Sequence, residues 1–221
     1  LLSAAPDSLR WFAFAYAGVD AICRDPAFLR RENCRLTCSN TYDVTLTEHT
    51  LMVLLMLLRR LPERTDRCPI APEDIETVCI ASSLHDIGKL LIPEDILTKP
   101  ASLTPDEFEI VKQHTRLGAR IISGLPIYQN ESLVKYALEI CRWHHERWNG
   151  EGYPDGLQGD DIPIAAQVVS LADAYDALTS KRCYKDAFSH ERALEMIRGG
   201  ECGSFNPLLL ECLNDITDTL K

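Results

Sequence analysis

Histidine and aspartate side chains recur along this chain in positions that suit metal binding. His85 and Asp86 are adjacent at the predicted end of a helix. A histidine offers one nitrogen lone pair, whereas an aspartate has two oxygens and can bridge two cations. Uncharged imidazoles on facing helices are suitable ligands for transition metals. Five of the six histidines are predicted at or near buried helix faces, namely His49, His85, His114, His144 and His145.

Asp173 is a carboxylate inside the most apolar predicted helix, which covers residues 164–179. Burying a carboxylate costs free energy unless it is paired or bound to a cation. A salt bridge to a neighbouring lysine or arginine would meet that cost. Since five histidines are also predicted at or near buried helix faces, metal ligation is the favoured interpretation of Asp173.

Helices separated by short polar breaks must position these residues. Apolar spacing, proline-led starts and capping residues predict all of them, and no convincing alternating strand pattern is present. The predicted fold is therefore all-α, a helical bundle with a metal centre between helices. A loop rich in Gly, Asp and Pro is expected over residues 149–163. The predicted helices cover about residues 9–22, 46–61, 72–85, 104–124, 131–145, 164–179 and 189–199, and a last one starts near residue 206.

Composition limits the classes of partner. The net charge of −10 argues against binding of DNA or long RNA. It still allows a small anionic ligand, because bound metal ions supply positive charge.

Nine cysteines with irregular spacing favour reduced thiols and a cytoplasmic location. The longest apolar run has eight residues, 51–58, whereas a membrane span needs about 20, so we expect no membrane contact within this chain. Since the first residue is Leu1, we expect a fragment or a processed chain.

Four motifs stand out along the chain: HDIGK at 85–89, His114 with Gly118, HHERWNGEGYP at 144–154 and ADAYDALTS at 172–180. Together they resemble the HD-GYP family of the HD metal-dependent phosphohydrolase superfamily. The similarity runs from about residue 45 to the end. Members that resemble this chain hydrolyse the bacterial signal cyclic di-GMP, to linear pGpG or onward to GMP. Residues 1–40 are then an N-terminal helical segment of unknown role, and residues 41–221 are the phosphohydrolase domain.

The resemblance implies a ligand set for two divalent metals, with iron or manganese favoured. Asp86 would bridge the two ions, and a metal-bridging hydroxide would attack phosphorus. One metal would also be held by His49, His85 and Asp173, and the other by His114, His144 and His145. Many family members have a glutamate where this chain has Thr45, so we expect two metals rather than three, and pGpG as the accumulating product. Cys183 and Asn206 also depart from the family, outside the chemistry.

Further residues are implied to contact the substrate. Lys89 would neutralise the scissile phosphate and act in catalysis together with Asp86. Tyr153 and Pro154 belong to the loop that names the family. Arg182 and Lys185 match its ligand-contacting basic pair, although basic residues after a helix end also favour the helix dipole.

Two alternatives to a cyclic di-GMP phosphodiesterase stay open. One is a hydrolase of another cyclic dinucleotide or nucleotide, because the guanine contacts are not readable from the sequence. The other is a receptor or protein-docking module that binds the dinucleotide without turnover. In each case a sensor or cyclase domain is a candidate partner, as is a second copy of the chain.

Overall fold

The N-terminal part of the chain contributes two short strands. The computed structural model describes residues 11–13, 35–37, 54, 57–62, 64–65, 70–124, 131–180 and 187–217. Its two compact units are Leu1–Glu48 and His49–Lys221. In the first unit, β1 (Trp11–Ala13) and β2 (Arg35–Thr37) pair in parallel, with Trp11 opposite Arg35.

The predicted helix over residues 9–22, and with it the helical character of the N-terminal segment, is wrong at residues 11–13. Aromatic residues such as Trp11 and Phe12 are enriched in strands. Pairing with β2 also supplies hydrogen-bond partners that the backbone would otherwise find within a helix. The predicted boundary near residue 40 stays a prediction.

The second unit is helical in its described part, which confirms the predicted all-α fold class. Helical residues 54, 57–62 and 64 come first. Among the described residues, the 3-10 turn Pro72–Asp74 leads into the first of the later helices, and the 3-10 turns Ile87–Leu91 and Gly159–Asp161 lie between them. Those helices are α1 (Ile75–Ser82), α2 (Glu94–Leu97), α3 (Pro105–Lys112), α4 (His114–Ser123), α5 (Ser132–Trp143), α6 (Ile164–Thr179), α7 (His190–Arg198) and α8 (Pro207–Ile216).

The single helix predicted over residues 104–124 is divided at Gln113 into α3 and α4. A capping box between Thr104 and Glu107 starts α3. The helix breaks because the Gln113 N–H bonds to the Ile110 carbonyl, three residues earlier, at 3.1 Å. The next carbonyl, that of Val111, accepts from the His114 ring at 2.7 Å instead of continuing the helical ladder. The break therefore places His114 at the start of α4.

The core surrounds α6, which is the most buried helix of the described part. Val168, Leu171 and Tyr175 are each no more than 1% exposed. Helices α5 and α7 pack against α6, and α1 and α4 pack against α5. This arrangement brings the end of α5, the start of α4 and the middle of α6 toward the turn that follows α1. Within the described ranges, no helix has the length and apolarity needed to cross a bilayer.

Candidate metal centre

Side chains from four segments converge on Asp86. Ligand atoms of Asp86, His114, His144 and His145 all lie within 4.8 Å of one another. The Asp86 Oδ1 atom is 3.3 Å from His114 Nε2 and 3.9 Å from His144 Nε2. On the other side, His85 Nε2 is 3.3 Å from Asp86 Oδ2.

Asp173 joins the same cluster from α6. Its Oδ1 atom lies 4.0 Å from His85 Nε2, so the carboxylate of α6 faces the turn that carries His85 and Asp86. The structure thus brings together six of the seven predicted ligands, and their role as ligands remains a proposal. The seventh, His49, lies outside the described residues.

The local backbone explains how His85 and Asp86 reach the centre. They lie in the turn that joins α1 to the 3-10 segment Ile87–Leu91, and Asp86 has φ −100° and ψ 8°. This sparsely populated region is one where active-site residues are often found. The turn then packs directly on α4, because a Cβ atom on Gly88 would lie 1.9 Å from the His114 carbonyl oxygen. Only glycine allows this approach.

Three of the histidines are oriented by the same contact, which joins ring Nδ1 to a backbone carbonyl oxygen three or four residues earlier. The Nδ1 atom of His85 is 2.8 Å from the Ser82 carbonyl oxygen, and that of His144 is 2.9 Å from the Ile140 carbonyl oxygen. His114 makes the equivalent contact to Val111. A proton on Nδ1 leaves the Nε2 lone pair directed to the centre. Metal-binding histidines are typically fixed in this way by a hydrogen bond from the second ring nitrogen.

The electrostatics of the cluster suit a cation. Burial lowers the pKa of His144 and His145 well below the ordinary value, so both imidazoles are neutral and their lone pairs are available. Burial also disfavours the charged form of His85, but the neighbouring Asp86 outweighs it and raises that pKa to about 9. Conversely, His85 outweighs the burial of Asp86 and holds the pKa of this carboxyl well below its usual range. Asp86 is therefore an anion surrounded by imidazole nitrogens that can bind a metal.

The decisive comparison is with a family model described as HD domain, which matches residues 47–205. The chain belongs to the HD domain family. The matched region contains every residue of the proposed cluster, and the family predicted from the sequence motifs is confirmed.

Relatives of this HD domain chain carry names that describe cyclic dinucleotide chemistry. A probable cyclic di-GMP phosphodiesterase of Vibrio cholerae is 42% identical over 75% of this chain and 37% of its own length. A 3′3′-cGAMP-specific phosphodiesterase 2 of the same organism is 40% identical over 65% of this chain and 27% of its own. The chain thus spans well under half of the length of either relative.

A solved structure agrees with the fold. Bd1817, an HDG"Y"P protein from Bdellovibrio bacteriovorus, is similar with a TM-score of 0.57 and 22% identity, over 90% of this chain and 60% of that one. At this level of identity the likeness concerns the fold alone.

The predicted substrate loop of the HD domain lies against the cluster of candidate metal ligands. The Tyr153 ring stacks on the His145 ring, with centroids 4.8 Å apart and planes at 27°. The Pro154 carbonyl oxygen accepts a 2.8 Å hydrogen bond from Arg116 of α4. Gly152 allows the loop to fold back, since a Cβ atom there would lie 2.3 Å from the Arg147 backbone nitrogen. The structure thus places Tyr153 and Pro154 beside the centre.

Lys89 is also at the centre, whereas the other predicted basic residues cannot be placed. The Lys89 ammonium lies 2.5 Å from Asp86 Oδ2. Arg182 and Lys185, like Thr45 and Cys183, lie outside the described residues. Asn206 caps α8 by accepting from the Leu208 N–H and donates to Gln167, a structural role remote from the cluster.

Glu146 is a residue whose role the sequence did not reveal. Its carboxylate is buried, and it accepts hydrogen bonds from three successive backbone N–H groups of the loop, those of Asp155, Gly156 and Leu157, at 2.7, 3.1 and 3.0 Å. The available signal was a carboxylate directly after the paired histidines and before a glycine-rich loop, which has many unpaired N–H groups. Glu146 therefore fixes the loop that carries Tyr153.

We expect Glu146→Ala to lower the free energy of unfolding by about 3 kcal/mol or more, and Glu146→Gln by about 1.5–3 kcal/mol. Glutamine keeps one acceptor oxygen but places an NH₂ group against at least one backbone donor. Glu151→Gln is the matched control, because the Glu151 side chain is exposed on the same loop. Urea unfolding measures all three, and equal stability of Glu146→Gln and Glu151→Gln would contradict the role given to Glu146.

Metal affinity of the HD domain should rise with pH. Because the pKa of His85 is about 9, the metal-free protein carries a proton on His85 at neutral pH. A cation must displace that proton, so apparent affinity should increase about tenfold for each pH unit between 7 and 8. Calorimetric titration with Mn²⁺ at the two pH values, in buffers of different ionisation enthalpy, should show release of about one proton. Equal affinities at both pH values would contradict this assignment. His190→Ala, outside the cluster, should show the same pH slope as the wild type.

Proposed function

We propose that this chain is a metal-dependent phosphodiesterase that hydrolyses a cyclic dinucleotide, cyclic di-GMP, to pGpG. One observation carries the proposal. Among the described residues, Asp86 Oδ1 is a buried oxygen with no hydrogen-bond partner, although His114 Nε2 and His144 Nε2 face it. A buried carboxylate oxygen without a donor is costly, and a shared cation removes that cost.

The donor set fits two transition metals. Imidazole nitrogens with carboxylate oxygens suit iron or manganese, which we favour, and zinc or nickel also accept imidazole. Asp86 would supply one oxygen to each ion. His85 and Asp173 would hold the first ion on the Oδ2 side. The family resemblance assigns His49 to the same ion. The second ion would be held on the Oδ1 side by His114, His144 and His145.

Bound cations would supply Lewis acidity and, by lowering the pKa of a water from about 15.7 toward about 7, a hydroxide nucleophile at neutral pH. The chain's own residues would do the rest. Lys89, 2.5 Å from Asp86, is positioned to stabilise negative charge on the phosphoryl oxygens. Tyr153, fixed on His145, would line the substrate side of the centre.

The choice of cyclic di-GMP is supported by the relatives. Several carry that name, including one from Thermotoga maritima that is 41% identical. The relative named for 3′3′-cGAMP favours a second candidate substrate, and the two differ in one purine base. Product identity rests on Thr45: without a glutamate at this position a third cation lacks a ligand, so pGpG should be released rather than cut again.

Chromatography of products tests the proposal. The purified chain, loaded anaerobically with Fe²⁺ or Mn²⁺ and analysed for metal content, is incubated with cyclic di-GMP and separately with 3′3′-cGAMP. We expect about two metal equivalents and accumulation of pGpG. If cyclic di-GMP stays intact while two metal equivalents are bound, the receptor alternative is favoured. If GMP appears without a lag and without accumulation of pGpG, the role of Thr45 is contradicted.

A further inference from the structure

An exposed aromatic ring lies next to the substrate loop. Phe108 of α3 is 44% exposed. Its ring meets that of Tyr153 edge to face, with centroids 6.4 Å apart and planes at 82°. The Lys112 ammonium, one helical turn later, lies 4.9 Å from the Phe108 centroid and 5.5 Å from the Tyr153 centroid. Phe108 thus belongs to a local aromatic and cationic surface.

This surface is connected to the cluster of candidate metal ligands through a series of ring contacts. Phe108 contacts Tyr153, Tyr153 stacks on His145, and the His145 and His144 centroids are 4.1 Å apart. Arg116, one turn beyond Lys112, donates to the Pro154 carbonyl on the same loop. Each of the two cationic side chains is also near a carboxylate, Lys112 near Glu109 and Arg116 at 3.8 Å from Asp155. In a chain with a net charge of −10, this local pair of cations beside aromatic rings favours an anionic ligand that also has flat, apolar faces.

We propose that Phe108 is a stacking platform for one purine base of the cyclic dinucleotide, a role that rests on the proposed function. A cyclic dinucleotide has two bases, each attached to one of the two riboses that two phosphodiesters join into a ring. When one phosphate is held at the proposed metal centre, the nearby base extends beyond the histidine cluster. The Phe108 ring offers that base a surface for stacking. Lys112, which is also paired with Glu109 at 2.6 Å, lies over the Phe108 ring and adds positive charge on that face, so the base would stack on the other face.

Stacking of this kind contributes affinity rather than base choice, because every base has a π-face. Phe108→Ala should therefore raise the Kd and the KM for cyclic di-GMP roughly 5- to 100-fold. The kcat should stay within about twofold, because stacking acts equally on the ground state and the transition state. The Kd for 3′3′-cGAMP should rise by a similar factor. Phe108→Trp should retain or improve affinity.

Ile110→Ala is the matched control, since Ile110 is 41% exposed on the same helix, two residues from Phe108. Metal content, calorimetric Kd and steady-state kinetics would be measured for the wild type and all three variants. Wild-type Kd in Phe108→Ala, or equal losses in Phe108→Ala and Ile110→Ala, would overturn the platform while leaving the phosphodiesterase proposal intact. If the metal-loaded wild type neither binds nor cleaves either dinucleotide, the proposed function itself is wrong, and the platform with it.

Discussion

Asp86→Ala is expected to remove stoichiometric metal and to lower the proposed phosphodiesterase activity by more than about 10³-fold. Loss of a residue that only orients a ligand already costs about 10–100-fold in metal affinity or activity. Asp86 is at the centre of the cluster, with Oδ1 facing His114 and Oδ2 facing His85, so its loss should affect both proposed ions. Metal analysis of the purified protein and product chromatography measure the two effects. Full metal content in Asp86→Ala would show that the centre does not depend on this carboxylate.

Lys89→Ala separates metal binding from the chemistry that follows. The lysine contacts Asp86 but has no lone pair to offer a cation at neutral pH. We expect this variant to keep its metals and to slow turnover by about 10²–10³-fold, comparable to the loss of an oxyanion donor. Asp95→Ala, an exposed carboxylate on α2, should match the wild type in both measurements.

The sequence predicted the residues of this centre better than their surroundings. Chemistry restricts which side chains can hold metals, and a carboxylate such as Asp173 in an apolar helix is visible without coordinates. The structure places it 4.0 Å from His85. The division of the helix at Gln113 was not predictable, because a side chain of the site itself, His114, takes the carbonyl that would have continued the helix.

The loop contacts were hidden for a different reason. Glu146 accepts hydrogen bonds from three backbone N–H groups that any residue type except proline could supply, so no sequence pattern marks its partners. Phe108 is about 45 positions from Tyr153 in the chain, and their contact depends on how α3 packs beside the loop. At β1, aromatic residues satisfied a helical pattern equally well, and only the distant partner β2 decides for a strand.

Gly88→Ala is expected to have the second large effect, through sterics alone. A Cβ atom at this position would lie 1.9 Å from the His114 carbonyl oxygen and 2.5 Å from the Gly118 nitrogen. Both are backbone atoms of α4, so no change of rotamer relieves the overlap. The turn that carries His85 and Asp86 would have to move away from α4. Overpacking costs about 1–3 kcal/mol and occasionally more, and a backbone clash should give a loss of about 3 kcal/mol or greater.

A graded series of glycine variants distinguishes this contact from general loss of flexibility. At Gly118 the nearest atom to an added Cβ is the Gly88 nitrogen at 3.2 Å, and at Gly124 it is the Ile121 carbonyl oxygen at 3.3 Å. Gly118→Ala touches the same interface, whereas Gly124→Ala lies at the far end of α4 and should change stability by less than about 1 kcal/mol. We expect the free energy of unfolding to fall most in Gly88→Ala, less in Gly118→Ala and least in Gly124→Ala. Metal affinity should follow the same order, because moving the turn separates Asp86 from His114. If Gly88→Ala is destabilised yet binds Mn²⁺ as tightly as the wild type, the turn does not need its contact with α4 to hold the centre together.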